Sequence, residues 1–180
     1  SKKFLPHFHI PLQSGSDEIL KTMRRRYKTK LYSDRIKKIQ SIMPHACLGA
    51  DVIVGFPGES DDHFKETYDF LNALDISYLH VFSYSMRDDT EAVKIKDKIP
   101  HDIISKRSKM LRYLSMVKKK KFYNKIIGSV QQVLIESYEN GLIFGHTKNY
   151  VPVRISGIPN DVNEIISVKL VQIKEGEMFG

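Results

Sequence analysis

Cysteine is nearly missing from this chain: Cys47 is the single one among 180 residues. That excludes an internal disulfide framework. It also excludes a zinc or iron–sulfur centre built from four cysteines of this chain alone. Tryptophan is absent, and no apolar run approaches the roughly 20 residues of a membrane span. The opening residues Ser1-Lys2-Lys3-Phe4 lead into a short apolar stretch broken by Pro6, His7 and His9, which is not a signal-peptide pattern. A thiol-poor chain of this kind is expected in the cytoplasm, without a membrane partner. Also missing are a nucleophile elbow, a Walker loop and a His-Glu-x-x-His helix. If the chain takes part in catalysis, a cofactor must therefore supply the hard chemistry, held partly by residues outside it.

What is abundant is positive charge. Lys and Arg total 29 against 21 Asp and Glu, a net +8. Nine basic residues fall between Lys21 and Lys38 with one acid, Asp34, and nine between His101 and Gly128 with one acid, Asp102. Two such blocks suit either solvated helix faces or a footprint for a polyanion, with nucleic acid ahead of a membrane surface.

The chain reads in two parts, 1–127 and 128–180. In the first, His7–Leu12 is a strand followed by the turn Gln13-Ser14-Gly15-Ser16, and a helix runs from Asp17 to about Tyr27. Ser33 is expected to cap a second helix, with Ile36, Ile39 and Ile42 on one face and Pro44 ending it. Leu48–Val54 is a buried strand, and Ser60 caps a helix with Asp61 and Asp62 in its first turn. Tyr78–Tyr84 is a third strand. A long helix starts near Asp102, with Ile104, Leu111, Leu114, Val117 and Phe122 on its apolar line. Alternating strands and helices imply a parallel sheet. After Gly128 the chain predicts short strands with turns at Asn140-Gly141, Gly157–Asp161 and Glu175-Gly176, hence a small antiparallel β-barrel.

Ligands of parallel α/β sheets bind at the carboxyl ends of the strands. Three loops fall there: Gln13–Ser16, Gly55–Ser60 and Ser83–Thr90. Each has a plain reading too, since Gly15 and Gly55 also suit tight turns. The spacing of His7, His9 and His80 fits no zinc signature, so no metal ligand is expected in this chain. Cys47, just before a buried strand, is expected to be an inert small hydrophobe. Three strand–helix units are less than half of an eight-stranded barrel, and exposed parallel edges rarely stand alone. The chain is therefore expected to be the C-terminal part of a larger protein.

Four segments occur in order: His9-Ile10-Pro11-Leu12-Gln13-Ser14-Gly15-Ser16, Met23-Arg24-Arg25-Arg26-Tyr27, Asp51-Val52-Ile53-Val54-Gly55-Phe56-Pro57-Gly58-Glu59 and His80-Val81-Phe82-Ser83-Tyr84-Ser85-Met86-Arg87. Together they closely resemble the radical S-adenosylmethionine methylthiotransferase family, and most of all its tRNA threonylcarbamoyladenosine branch. The tail, with Gly145-His146-Thr147-Lys148-Asn149-Tyr150, resembles the TRAM RNA-binding barrel that ends these enzymes. The resemblance implies the later part of a TIM-like radical SAM barrel followed by an OB-like TRAM barrel.

Family members use S-adenosylmethionine and two 4Fe-4S clusters, held by an N-terminal three-cysteine domain and by a Cys-x-x-x-Cys-x-x-Cys loop. Neither set of cysteines is in this chain. Asp88-Asp89-Thr90 also stands where the family shows a Pro-Gly-Thr-like turn. The implied reaction cleaves S-adenosylmethionine reductively, opens the adenine C2–H bond by a radical and inserts a methylthio group beside the anticodon of tRNA. This chain alone would be inactive.

By the same resemblance, Gln13, Ser14 and Ser16 would lie near the cofactor's ribose or methionine part, and Ile53, Val54 and Gly55 along its adenine. Arg87 would pair with a carboxylate of cofactor or substrate. Glu59 comes four residues after Gly55, one later than the acid of the usual radical-enzyme pattern. Lys118, Lys119, Lys120, Lys121, Lys148, Tyr150 and Arg154 would hold RNA, with Tyr150 either stacking on a base or packed in the barrel core. The implied partners are tRNA and the missing N-terminal part of the same polypeptide, in a monomer. Two alternatives stay open: a sibling enzyme acting on isopentenyladenosine or on a ribosomal protein, and a non-catalytic RNA-binding remnant.

Overall fold

The computed structural model describes residues 4–86, 92, 95, 97–174 and 177–180. Arg87, the Asp88-Asp89-Thr90 segment and the Glu175-Gly176 turn lie outside them. The chain divides into two compact units. One holds Phe8–Pro44 and Leu48–Lys118; the other holds Lys119–Gly180 with His45–Cys47 and the residues up to His7.

The first unit is built on β1 (His7–Gln13), β2 (Cys47–Val54) and β3 (Tyr78–Ser83), hydrogen-bonded in that order. Strands β2 and β3 are parallel, with Asp51 opposite His80 and Ile53 opposite Phe82. Helices α1 (Asp17–Thr22) and α2 (Thr29–Ile42) connect β1 to β2, α3 (Asp61–Ala73) connects β2 to β3, and α4 (His101–Asn124) follows. The expected parallel α/β arrangement is thus present as a three-stranded sheet. Because strand side chains alternate, Leu12, Val52, Val54 and Leu79 are buried, whereas His9, Ile53, His80 and Phe82 are not.

Local chemistry explains the helix ends, with some departures from the sequence pattern. Ser60 caps α3 as expected: its hydroxyl accepts from the His63 N–H, and the His63 ring accepts from the Ser60 N–H. Ser33 does not cap α2. That helix starts at Thr29, whose N–H donates to Asp17 Oδ1 at 2.8 Å, while Ser33 donates from inside the helix to the Lys30 carbonyl. The cap comes from across the α1–α2 turn, where no local pattern announces it. Helix α1 is shorter than expected because Arg24 turns left-handed, at φ 56°. The buried face of α2 is Tyr32 and Ile36; Ile42 is 66% exposed.

On α4 the buried line is Arg107, Leu111, Leu114 and Lys118, while Val117 faces solvent. Lys118, not Val117, sits one helical turn on from Leu114 along this line. Its ammonium donates to the Asn72 and Leu74 carbonyls at the end of α3. Those carbonyls lack intrahelical partners, so a cation is stabilising there.

The second unit holds β4 (Val130–Glu139), β5 (Leu142–Thr147), β6 (Pro152–Ser156), a 3₁₀ turn at Pro159–Asp161, β7 (Ile165–Lys169), β8 (Gln172–Lys174) and β9 (Glu177–Phe179). Asn140 and Gly141, at φ 51° and 83°, join β4 to β5 in the hairpin that their sequence predicts. The sheet order is β7-β4-β5-β6-β9-β8. The expected small antiparallel barrel is not closed among the described residues, and its sheet is mixed. Strands β6 and β9 run parallel, and no ladder joins β7 to β8 among the described residues. The parallel pair arises because the chain returns through β7 and β8 before β9 reaches β6, so the pairing is not a simple meander. Val133, Ile135, Ile143, Val151, Val153, Val168, Leu170 and Met178 form the core. Cys47 is buried, as its sequence context suggested. No described helix is long and apolar enough to cross a membrane.

Candidate active-site cavity at the strand ends

The carboxyl ends of the three strands open into a cavity of about 720 Å³, within the size range of small-molecule sites. Gln13 reaches it from β1, Asp51 and Ile53 from β2, and Phe82 and Ser83 from β3. Arg24 and Arg25, from the turn after α1, form another wall. Gln13 holds φ 76°. That left-handed backbone is uncommon for a side-chain-bearing residue and marks a constrained strand end.

The two glycine loops are pinned by buried polar contacts. In the first, the Gly15 N–H donates to Thr67 Oγ1 at 3.1 Å, and a Cβ on Gly15 would lie 2.7 Å from the Thr67 Cα. Only glycine lets α3 approach this closely. Ser14 is fully buried; its hydroxyl donates to Thr67 and accepts from the Ser16 N–H. In the second, Gly55 holds φ 80°, and a Cβ would meet the Ile104 side chain at 2.4 Å. The Gly55 N–H donates to Glu59 Oε2 at 2.9 Å.

Glu59 is 1% exposed and pairs with Arg107, itself 5% exposed, at 2.7 Å. Arg107 also donates to the Glu59 carbonyl and to Asp61 Oδ1. Burial pushes the Glu59 carboxyl above its ordinary value; the Gly55 N–H and the Arg107 guanidinium pull it back. Glu59 is therefore the buried clasp of this loop. Its partner Arg107 had looked like one more member of a basic block.

The expected cofactor residues consequently divide. Gln13 and Ile53 line the cavity. Ser14, Ser16 and Val54 are buried, and Gly55 contributes a loop N–H already engaged by Glu59. Arg87 lies outside the described residues. Sequence reasoning missed Arg24, Arg25 and Phe82 as cavity residues, although all three stood in the quoted motifs.

The expected RNA residues divide as well. Lys118 is buried and engaged, whereas Lys119, Lys120 and Lys121 are exposed. Lys119 lies 5.3 Å from the Tyr123 ring centroid. In the second unit, Lys148 is exposed, and Tyr150 is 57% exposed and so not a core residue. His7 and His146 stack on Tyr150, with ring centroids 4.9 and 4.4 Å away. Arg154 lies over the Phe144 ring and pairs with Glu177, which occupies its charge locally.

A cavity with apolar walls at Ile53, Phe56 and Phe82 and polar groups at Gln13, Asp51 and Ser83 suits a nucleoside-like ligand. An iron–sulfur cluster does not fit this chain. Its single thiol is buried and a cluster needs several thiolates.

Residues 2–71 match the Radical SAM superfamily. The chain is 40% identical over 93% of its length to the threonylcarbamoyladenosine tRNA methylthiotransferase MtaB of Aquifex aeolicus, covering 40% of that protein. It is 35% identical over 96% of its length to the Bacillus subtilis protein of the same name, covering 39% of it. It is also 36% identical over 99% of its length to the tRNA-2-methylthio-N(6)-dimethylallyladenosine synthase of Endomicrobium trichonymphae, covering 43% of it. The chain thus spans about two fifths of the length of the curated relatives it matches. The resemblance to radical SAM tRNA methylthiotransferases, first read from four motifs, extends over most of the chain.

Proposed function

We propose that this chain works as part of a longer radical SAM methylthiotransferase that adds a methylthio group to C2 of N6-threonylcarbamoyladenosine in tRNA. The observation that carries the reading is the cavity: family motifs from all three strand ends converge on one ligand-sized space. With its cluster, S-adenosylmethionine supplies the radical chemistry that opens the adenine C2–H bond. The residues of this chain bind and orient. Ile53 and Phe82 offer apolar surface to an adenine, and Gln13 and Ser83 offer hydrogen bonds to a ribose or amino-acid part. Arg24 and Arg25 bring positive charge to the rim, where a nucleotide phosphate or a threonyl carboxylate would enter. Cluster ligands come from a segment outside this chain, which alone is inactive. In the second unit, Lys148 and the exposed stack on Tyr150 support contact with tRNA, through phosphates and through ring surface. The work is done in the cytoplasm, by a monomer.

A second reading has its own support. Relatives named as dimethylallyladenosine synthases match about as well, at 36% identity. The sibling reaction on isopentenyladenosine is therefore the competing substrate assignment. One experiment separates the two. The full-length protein is expressed in a host lacking its own tRNA methylthiotransferases, and tRNA nucleosides are measured by mass spectrometry. Methylthio-threonylcarbamoyladenosine supports the first reading, methylthio-isopentenyladenosine replaces it with the second, and neither product overturns both.

A further inference from the structure

On the open face of the three-stranded sheet, His9, Asp51 and His80 meet. Period-two alternation puts them there: His9 and Gln13 share a face of β1, Asp51 and Ile53 a face of β2, and His80 and Phe82 a face of β3. Asp51 and His80 are register partners. His9 Nε2 lies 2.6 Å from Asp51 Oδ1, and His80 Nδ1 lies 3.6 Å from the same oxygen. All three ligand atoms fall within 4.8 Å of one another.

We propose that these three side chains bind one divalent transition-metal ion of the zinc class. Two imidazole nitrogens and one carboxylate oxygen are the donor set that zinc and its neighbours prefer. At 3.6 Å, His80 is too far from Asp51 for a hydrogen bond. It is at the right separation for a shared ion, because ligands about 2.1 Å from a tetrahedral metal stand about 3.4 Å apart. The His9–Asp51 contact needs to open by less than about 1 Å for an ion to take the place of the proton between them. His9 then binds through Nε2 with its proton on Nδ1, and His80 through Nδ1 with its proton on Nε2.

The surroundings favour such a site. All three ligands stand on hydrogen-bonded strands, which hold a geometry better than loops do. The Tyr78 ring lies 6.3 Å from the His9 ring and 5.1 Å from that of His80, limiting how each can turn. His9 is 33% exposed and His80 53%, so an ion can enter. Asp51 also lines the cavity, so an ion held here would sit at its edge. Three protein ligands are one short of the closed set of a structural zinc and leave a position for water.

The test uses the 180-residue chain, stripped with chelator, titrated with Zn²⁺ by calorimetry and with Co²⁺ by visible absorption. One equivalent should bind, with a cobalt spectrum of low coordination number. His80→Gln and His9→Gln should each weaken binding by at least about tenfold, since loss of an outer-shell partner alone costs about 10–100-fold. Their circular dichroism should match the parent, because both side chains reach solvent. His146→Gln, in the other unit, should leave affinity unchanged. The absence of stoichiometric binding overturns the proposal. So does binding that survives both substitutions, or that His146→Gln removes. Neither cluster nor S-adenosylmethionine is involved, so the outcome is independent of the methylthiotransferase reading.

Discussion

The two faces of the three-stranded sheet carry different chemistry on alternate residues of the same strands. One face presents Leu12, Val52, Val54 and Leu79, all buried. The other presents His9, Asp51, Ile53, His80 and Phe82, and opens onto the cavity. Burial of apolar surface stabilises the first face by about 25 cal/mol per Å². The second contributes little burial and leaves polar groups accessible. The motif Asp51-Val52-Ile53-Val54 therefore serves two purposes at once, with fold on the even positions and site on the odd ones.

The largest effect should come from the buried clasp beneath the second loop. Arg107→Ala leaves the Glu59 carboxylate buried without its partner, and breaking a buried pair costs about 3–5 kcal/mol. Urea denaturation should show that loss. A change below 1 kcal/mol, taken as about the ceiling for an exposed pair, would mean that the clasp is not formed in solution. Next, Leu12→Ala on the closed face should cost about 2–5 kcal/mol, through lost transfer energy and the cavity left behind.

Lysines of one run should then separate. Lys118→Ala removes donors from two carbonyls at the end of α3 and should cost about 1–3 kcal/mol. Lys119→Ala, Lys120→Ala and Lys121→Ala should each stay within about 0.5 kcal/mol. The triple exposed variant should instead flatten the salt dependence of tRNA binding, by at most about one unit of slope per lost phosphate contact. Equal stability losses at all four positions would erase the distinction between the buried and exposed lysines. An equally small stability effect belongs to the open face. Phe82, 51% exposed, should tolerate Phe82→Ala within about 0.5 kcal/mol, while S-adenosylmethionine binding by the full-length protein weakens. A large stability loss there would show that the open face is core after all.

Much of this was legible along the chain. The alternation of strands and helices, the Ser60 cap and the Asn140-Gly141 hairpin are local, because each depends on residues within a few positions of one another. Period two also marks Ile53 for the cavity and Val54 for the core, although the sequence reading assigned both to the cofactor. Arg107 and Lys118 could not be placed this way. Their fate depends on Glu59, Asn72 and Leu74, which lie 48, 46 and 44 residues away, and a charged residue is buried only where such a partner waits.

The sequence by itself determined the family likeness, the parallel α/β character of the first part and the loops that close the strand ends, since short-range pattern and composition specify these. Tertiary structure alone decided which basic residues are structural, that the second sheet pairs β6 with β9 in parallel, and that His9 and His80 approach one oxygen of Asp51. These are outcomes of register and packing between distant segments. No local spacing encodes them, because the partner of each group is chosen by the fold rather than by its neighbours in the chain.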